Sequence, residues 1–443
     1  MWGPPPGRAA AGFPTGWLPP GSAPRWLPSG NAPRCLSSPS LNPELLAILR
    51  LESFRDYTAS RAASGLATGL LQSVILWQAY AISGSPLSLG IVGLVAFFAA
   101  LVSSVVGGAI VDTYDRRTIL LLAQLAAGFS SAAMLVAIGT QHASLELIYA
   151  IVLVTGVGAS LEFPARQAIL PDVVPRRLFA RALTVNSATS SLTSVTGPAI
   201  GGILIAVGGV GAAYAGHVVL VAIATLSLLP LKIPSKHVGG RMDLAAIREG
   251  LAYVWQRPIL LGAMSLDMFA VLFGGARALL PVYAVDILHA NAVGYGVLSA
   301  SLEAGTLVMA ILLLMLPIPH RTGRLLLVAV AAFGLATVLF GVSTALPLSI
   351  LAYAMVGMAD QVSMVMRHTM IQLTTPDALR GRVTGVSSIF ISASNELGAL
   401  ESGLVAAATN AVFAVVSGGV ACLVVVALIA WKVPSLRQYS RSD

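Results

Sequence analysis

The chain has 443 residues, of which 56% are hydrophobic and only 10% are charged, and its mean hydropathy is +0.85. This composition excludes a water-soluble globular protein, because too few polar residues are present to cover a surface in water. The net charge of +8 is compatible with neighbouring anionic lipid headgroups, and we expect membrane lipids rather than nucleic acid as its partners.

Residues 1–50 differ in composition from the rest of the chain. They are rich in proline and glycine and contain no continuous apolar run, so we expect a disordered tail. They also lack the short hydrophobic stretch of a secretory signal. For residues 41–56 three interpretations stay open: an amphipathic helix on the membrane surface, a solvated tail, or a start codon placed too far upstream.

From residue 57 onward the chain contains twelve apolar stretches, each close to the roughly 20 residues that cross a bilayer core. Several connections between them are short, so consecutive helices run antiparallel. We therefore expect an all-α membrane protein with twelve transmembrane helices and both termini on one side. The predicted spans are 57–83, 88–111, 116–140, 146–165, 183–208, 212–233, 259–286, 292–317, 323–343, 346–372, 383–407 and 411–433.

The 26 lysines and arginines are distributed asymmetrically along these spans. Only Arg61 and Arg277 are assigned to span interiors, and the others, including Arg166 and Arg367, are assigned to the termini and the even-numbered connections. Because Lys and Arg near helix ends are retained in the cytoplasm, this pattern predicts a multi-pass protein of the inner (plasma) membrane with both termini cytoplasmic.

An internal repeat divides the chain into two halves. Residues 166–202 align without a gap to residues 367–403, so that Arg166 matches Arg367 and Gly202 matches Gly403. Two pseudo-symmetric six-helix bundles follow, an arrangement typical of transporters that bind their substrate between the halves. A duplicated membrane scaffold without transport activity is the alternative. The predicted divisions are a tail at 1–50, bundles at 51–233 and 258–435, a cytoplasmic linker at 234–257 and a C-terminal tail at 436–443.

The connection after the second span resembles a signature of the major facilitator superfamily. Residues 108–117 read GAIVDTYDRR, with Thr113 and Asp115 at positions where that signature has Arg and Gly. The resemblance implies a loop that latches the two halves on the cytoplasmic side, whereas a simple inside-positive anchor is the alternative. The positions that match are Gly108, Asp112, Arg116 and Arg117.

The fifth span resembles the Gly-Pro-x-x-Gly-Gly motif of exporters in that superfamily. Small residues at this spacing allow close helix contacts, and the proline bends the helix, so the motif is also interpretable as a packing device alone. Residues 163–171, 186–189, 380–383 and 394–396 further resemble the branch that contains the enterobactin exporter and macrolide efflux proteins. The resemblance covers 52–435. The motif residues are Gly197, Pro198, Gly201 and Gly202.

Ionisable groups inside the spans are the candidates for energy coupling. We expect no enzyme activity, no cofactor and no metal, because the chain has neither a nucleotide-binding loop nor metal-ligand spacing. An ion gradient remains, and an ionisable residue at a helix centre costs about 2.5–3.5 kcal/mol to insert. The candidates for proton coupling or the substrate cavity are Asp360, Asp267, Glu303, Glu396, Arg277, Arg61, Glu162 and Arg166.

Depth and helix position rank these candidates. By the family resemblance, the first, fourth, seventh and tenth helices line the cavity, which favours Asp267, Arg277 and Asp360. Asp360 and Arg367 are about 10 Å apart along a helix axis, which argues against a direct pair. Glu162 and Arg166 have the spacing of a pair, although Pro164 stands between them. A carboxyl group that only holds helices together by a hydrogen bond is the alternative for each acid.

These observations predict a secondary active transporter that works by alternating access. We expect a monomeric, proton-coupled exporter of a small organic molecule such as a siderophore or a drug. A solute importer of the same fold and a non-transporting membrane sensor or scaffold are the alternatives.

Overall fold

The computed structural model describes residues 47–231, 244–315 and 321–440. All of them belong to one compact unit, Glu44–Asp443. Most of the predicted tail at 1–50 and the first part of the predicted linker lie outside the described residues. The side chains of 103–113, which include Gly108 and Asp112, also lie outside the description, so the role of these two residues stays a prediction.

Within the described ranges the chain forms helices and turns, with no strand. The helices are α1 (Glu52–Ser83), α2 (Pro86–Thr113), α3 (Arg116–Gly139), α4 (Leu145–Val173), α5 (Phe179–Leu228), α6 (Leu244–Trp255), α7 (Pro258–Phe273), α8 (Ala292–Met315), α9 (Thr322–Val342), α10 (Leu346–Thr374), α11 (Asp377–Ala408), α12 (Ala411–Lys432) and α13 (Pro434–Gln438). We call α1–α5 the first half and α7–α12 the second half.

Helix α5 contains two spans. Gly209 interrupts it with φ 72° and ψ −176°, a conformation that a residue with a Cβ atom avoids. The break separates the predicted spans 183–208 and 212–233. Among the described residues, nine helical segments are long and apolar enough to cross a membrane, and the segment Arg176–Leu228 counts once for its two spans.

Two further helices complete the twelve predicted spans. Helix α2 contributes a shorter apolar segment, Pro86–Val102, to the described side chains, and α11 has 32 residues, enough to cross the bilayer. Helix α11 is more polar than α2 and carries the candidate Glu396. The all-α fold with two six-helix bundles is therefore confirmed.

The seventh predicted span is not one continuous helix. Helix α7 ends at Phe273, and after Gly274 and Gly275 the chain continues in 3₁₀ geometry (Ala276–Leu279) and later in a π-helical turn (Tyr283–Ile287). The predicted span at 259–286 agrees with the apolar segment Pro258–Ile287, but the second part of that segment is not a regular α-helix. A Cβ atom on Gly275 would lie 2.5 Å from the carbonyl oxygen of Gly398, so the close approach of α11 requires glycine here.

Close contacts between glycines join the two halves at one end of the molecule. A Cβ atom on Gly202 would lie 2.6 Å from the Cα of Gly296, and one on Gly403 would lie 2.5 Å from the Cα of Gly90. Gly202 and Gly403 are the positions that the internal repeat aligns. The repeat is therefore visible in the packing, with α5 against α8 and α11 against α2.

Hydrogen bonds between the halves lie at the same end. The Tyr295 hydroxyl donates to the carbonyl oxygen of Ser73 at 2.9 Å, and the Tyr80 hydroxyl donates to the Asp286 carboxylate. Tyr80 is close to the connection at 84–85, an odd-numbered one. These contacts therefore close the cavity between the halves on the side of the odd-numbered connections.

Two arginines that were assigned to connections lie inside helices. Arg166 in α4 is 2% exposed and Arg367 in α10 is 3% exposed. The assignment to loops was wrong for both: the predicted span 146–165 ended just before Arg166, and Arg367 falls within the last turns of the predicted span 346–372. Each arginine is accommodated in its helix by a carboxylate partner, described below.

Candidate transport cavity

A cavity of about 520 Å³ lies between the two halves. Its wall is formed by α1–α5 of the first half and by α7–α11 of the second half, including the break after α7. Most of the wall is apolar, and four of the predicted candidates line it. These are Glu162, Arg277, Asp360 and Glu396. The volume is in the range that is usual for small-molecule sites.

Arg277 links the halves from the irregular segment that follows the Gly274–Gly275 break. Its Nη2 donates to Oε1 of Gln72 on α1 at 2.9 Å, and its Nη1 lies 4.0 Å from Oε1 of Glu303 on α8. The side chain is 55% exposed within the structure, so the guanidinium also reaches the open cavity. Non-helical backbone inside a membrane protein is tolerated where it lines such a cavity.

Asp360 and Glu396 bring carboxylates to the cavity wall without a partner. In the described part of the chain neither side chain has a hydrogen bond or an ion pair. Asp360 does not pair with Arg367, in agreement with their separation along α10. Tyr353, two turns before Asp360, lines the same cavity, so this face of α10 is the one that looks inward.

Asp267 lies elsewhere and has a partner. It forms an ion pair with Arg367, and the two side chains are 7% and 4% exposed. The pair joins α7 to α10 behind the cavity wall, and Asp267 is not among the residues that line the cavity. Breaking a buried pair of this kind leaves an uncompensated charge, which is strongly destabilising.

A polar cluster on the first half surrounds Arg166. Its Nε donates to Oε1 of Glu162 at 2.6 Å, and its Nη2 donates to Oγ of Ser60 at 3.3 Å. The Ser64 hydroxyl also donates to Glu162, at 2.5 Å. Helix α4 continues through Pro164, so the predicted pair forms in spite of the proline. Arg61 lies on the same side of α1 and donates to Oγ of Ser190 at 3.1 Å.

The predicted candidates left out several polar residues of the cavity, of which Gln72 and His217 make the most distinctive contributions. Gln72 holds Arg277, and His217 on α5 lines the cavity although it is only 2% exposed. Nδ1 of His217 has no hydrogen-bond partner in the part of the chain that the structure describes. A histidine within an apolar span is itself a signal of a functional position, and this signal was available in the sequence.

The described side chains of the signature loop contact only the first half. Arg116 pairs with Asp172 at 3.2 Å, and Arg117 donates to the carbonyl oxygen of Leu229. Asp115, which replaces the usual glycine, caps α3 by accepting a hydrogen bond from the backbone of Thr118 at 3.1 Å. These contacts fit an anchoring role, and the predicted latch between the halves stays a prediction.

The Gly-Pro-x-x-Gly-Gly motif packs α5 against two other helices. A Cβ atom on Gly197 would lie 3.0 Å from the Cα of Gly69, and one on Gly201 would lie 3.3 Å from the carbonyl oxygen of Leu70. Gly202 faces α8, as described above. The motif thus packs α5 onto its own half and onto the opposite half at once. Pro198 lies between these contacts inside α5.

Residues 44–442 match the protein family described as transmembrane secretion effector. The chain belongs to this family. Among its relatives, the enterobactin exporter EntS of Citrobacter koseri is 30% identical over 372 residues, which cover 83% of this chain and 88% of that protein. The enterobactin exporter EntS of Escherichia coli O81 is 28% identical over 396 residues, or 88% and 94% of the two chains.

Solved structures agree with the family in their fold. The nucleoside transporter NupG superimposes with a TM-score of 0.64 and 14% identity over 88% of this chain and all of that chain. A bacterial homologue of the human lysosomal transporter Spinster, in an inward-facing and unoccupied conformation, superimposes with a TM-score of 0.63 and 15% identity. The match covers 91% of this chain and all of that chain. The protein is thus a multi-pass membrane protein and a secondary transporter of the major facilitator superfamily.

Proposed function

We propose that this transporter exports a small organic molecule, a siderophore or a drug, across the inner membrane in exchange for protons. The observation that carries the proposal is the unpartnered carboxylate of Asp360 on the wall of a cavity between the two halves. The names of the relatives support export, since both are enterobactin exporters. Alternating access of the cavity to the two sides is the mechanism that this fold supports.

The closed end of the cavity fits one state of this cycle. The contacts of Gly202 with Gly296 and of Gly403 with Gly90 lie on the side of the odd-numbered connections. With both termini cytoplasmic, as the arginine distribution predicts, this side is the outer one. The structure then corresponds to a state that is closed toward the outside. In this state cargo enters the cavity from the cytoplasm.

Asp360 couples the flux of protons to the flux of cargo because its carboxyl group is either protonated or negatively charged. An ionised carboxylate is costly in the membrane interior, so each change of its surroundings favours loss or gain of a proton. In the outward state a proton from outside binds Asp360, which favours release of cargo. In the inward state the proton leaves to the cytoplasm, and the carboxylate is ready for the next cargo molecule.

Arg277 has a second part in this cycle. It contacts Gln72 on α1 and approaches Glu303 on α8, so it has partners in both halves. When the halves rock apart on the outer side, the bond to Gln72 breaks while Glu303 remains a partner. The charge of Arg277 therefore stays compensated in both states, which keeps the barrier between them low.

The direction of transport is tested by accumulation in cells. Cells that express the protein should accumulate less radiolabelled enterobactin or erythromycin than cells that lack it, and the difference should disappear when a protonophore collapses the proton gradient. Higher accumulation on expression would indicate the importer. Unchanged accumulation, together with no flux of either compound in proteoliposomes, would indicate the sensor or scaffold.

A further inference from the structure

The charges on the cavity wall do not balance. Glu162 is compensated by Arg166, so this pair adds no net charge. Among the described residues that line the cavity, Arg277 is the one cation. It has Glu303 as its nearest acid at 4.0 Å, which leaves the carboxylates of Asp360 and Glu396 without a cation of their own.

Two longer-range electrostatic interactions link Arg277, Glu303, Asp360 and Glu396 around the cavity. Glu303 is near enough to Asp360 for a Coulomb repulsion, and Arg277 is near enough to Glu396 for an attraction without a direct contact. When all three carboxylates are ionised, one guanidinium against them leaves two negative charges. Interactions of this kind are much stronger in a cavity of low dielectric constant than in water.

The remaining wall favours an apolar body with a positive charge. Phe333 and Tyr353 line the same cavity as Asp360, and both rings belong to the second half. Aromatic faces attract cations in addition to burying apolar surface. A hydrated inorganic ion would leave most of this large and apolar wall in contact with water.

His217 supplies an independent sign that a polar ligand binds in the cavity. Its side chain is 2% exposed, lines the cavity from the first half, and has no hydrogen-bond partner at Nδ1 within the described ranges. Buried polar nitrogens in folded proteins are nearly always hydrogen-bonded. A rotation of the imidazole ring would bring this atom to a polar group on the cargo while the body of the cargo fills the space between the halves.

We infer that the cargo is an amphiphilic organic cation whose positive charge binds at Asp360 and Glu396 and whose apolar part lies against Phe333 and Tyr353. This inference rests on the proposed export function and narrows it. A cationic drug fits the cavity, whereas an anionic chelator would meet two uncompensated carboxylates.

Two probes of nearly the same size and shape but opposite charge test whether the cavity prefers a cation or an anion. Purified full-length protein in detergent is dialysed at neutral pH against radiolabelled tetraphenylphosphonium, a cation, or tetraphenylborate, an anion. We expect tetraphenylphosphonium to bind at least tenfold more tightly. D360N and E396Q should each weaken its binding about tenfold, and the double variant should abolish the preference for the cation.

Glu401 provides the matched control. It lies on α11, five residues after Glu396, and it is not among the residues that line the cavity. E401Q removes the same charge from the same helix and should leave binding of both probes unchanged. Equal thermal unfolding temperatures of all variants show that the differences do not come from misfolding.

Each other result contradicts the inference. Tighter binding of tetraphenylborate, no binding of either probe, or cation binding that D360N and E396Q leave unchanged would each overturn it. Failure of the export proposal looks different, because the protein would then bind tetraphenylphosphonium through these acids but would not move it when a pH gradient is imposed on proteoliposomes.

Discussion

Asp267 on α7 and Arg367 on α10 form an ion pair in which both side chains are buried. Arg166, which the internal repeat aligns with Arg367, pairs instead with Glu162 on its own helix. Each half thus has a buried arginine at the aligned position. Its carboxylate partner lies on the same helix in the first half and on a different helix in the second half. As a result Asp267 is neutralised, and the carboxylate that remains available on the cavity side of α10 is Asp360.

The first prediction concerns the stability that the buried pair provides. D267N should leave the charge of Arg367 uncompensated and lower the free energy of unfolding by about 3–5 kcal/mol, the range for breaking a buried pair. Thermal unfolding of the purified protein measures the effect. E249Q is the control, because the pair of Glu249 with Arg382 is exposed and should contribute less than about 1 kcal/mol. Equal shifts in the two variants would contradict this account of Asp267.

The second prediction concerns the closed end of the cavity. G403A adds a Cβ atom that would meet Gly90 at 2.5 Å, so the two halves must separate there. A cysteine at Ser73, which is 4% exposed, should then react faster with an impermeant thiol reagent. G385A lies on the same helix with nothing within 4 Å of the added atom and should leave the labelling rate unchanged. A G403A rate equal to that of G385A would mean that this contact does not close the cavity.

The third prediction concerns the hydrogen bond between Tyr80 and Asp286. Y80F removes only the hydroxyl group that joins the halves, so it should raise the labelling rate at Ser73 in the same direction as G403A but by less. A hydrogen bond to a charged group contributes about 1.5–3 kcal/mol. Y114F, at an exposed tyrosine of the opposite end, is the control. A labelling rate that Y80F does not change would show that the hydrogen bond has no part in closure.

The fourth prediction concerns the orientation in the membrane. In a variant without the native cysteines, T409C should react with an impermeant reagent added to intact cells, whereas Y114C should not. Thr409 lies in an odd-numbered connection, and Tyr114, 64% exposed, lies in an even-numbered one. The reverse labelling pattern would place both termini outside and would also reverse the proposed direction of transport.

The sequence was sufficient for the spans and for the repeat, because both are properties of local composition and spacing. It was insufficient for the partners of Arg166 and Arg367, which were assigned to loops. Burial of an arginine depends on a carboxylate that is distant in the chain or lies beyond a proline, and apolar run length carries no information about either. The pair of Asp267 with Arg367 is such a case.

The break at Gly274 and Gly275 was missed for a related reason. Two glycines in an apolar run are compatible with a continuous helix, and the close approach of Gly398 on α11, which requires glycine at 275, is not visible in the sequence. Gln72 and His217 face the cavity because of how α1 and α5 are rotated about their axes. In a membrane helix that is apolar all round, periodicity does not determine this rotation.

The most direct test of the account is coupled transport by D360N. Wild-type protein in proteoliposomes with an acidic lumen should accumulate radiolabelled tetraphenylphosphonium, whose charge does not depend on pH, against its concentration gradient. D360N should fail to accumulate the compound, yet still exchange it between equal concentrations at saturating levels, because the proton site is lost and the pathway is intact. E396Q should bind more weakly but still accumulate. Uphill accumulation by D360N at the wild-type level would contradict the assignment of proton coupling to Asp360.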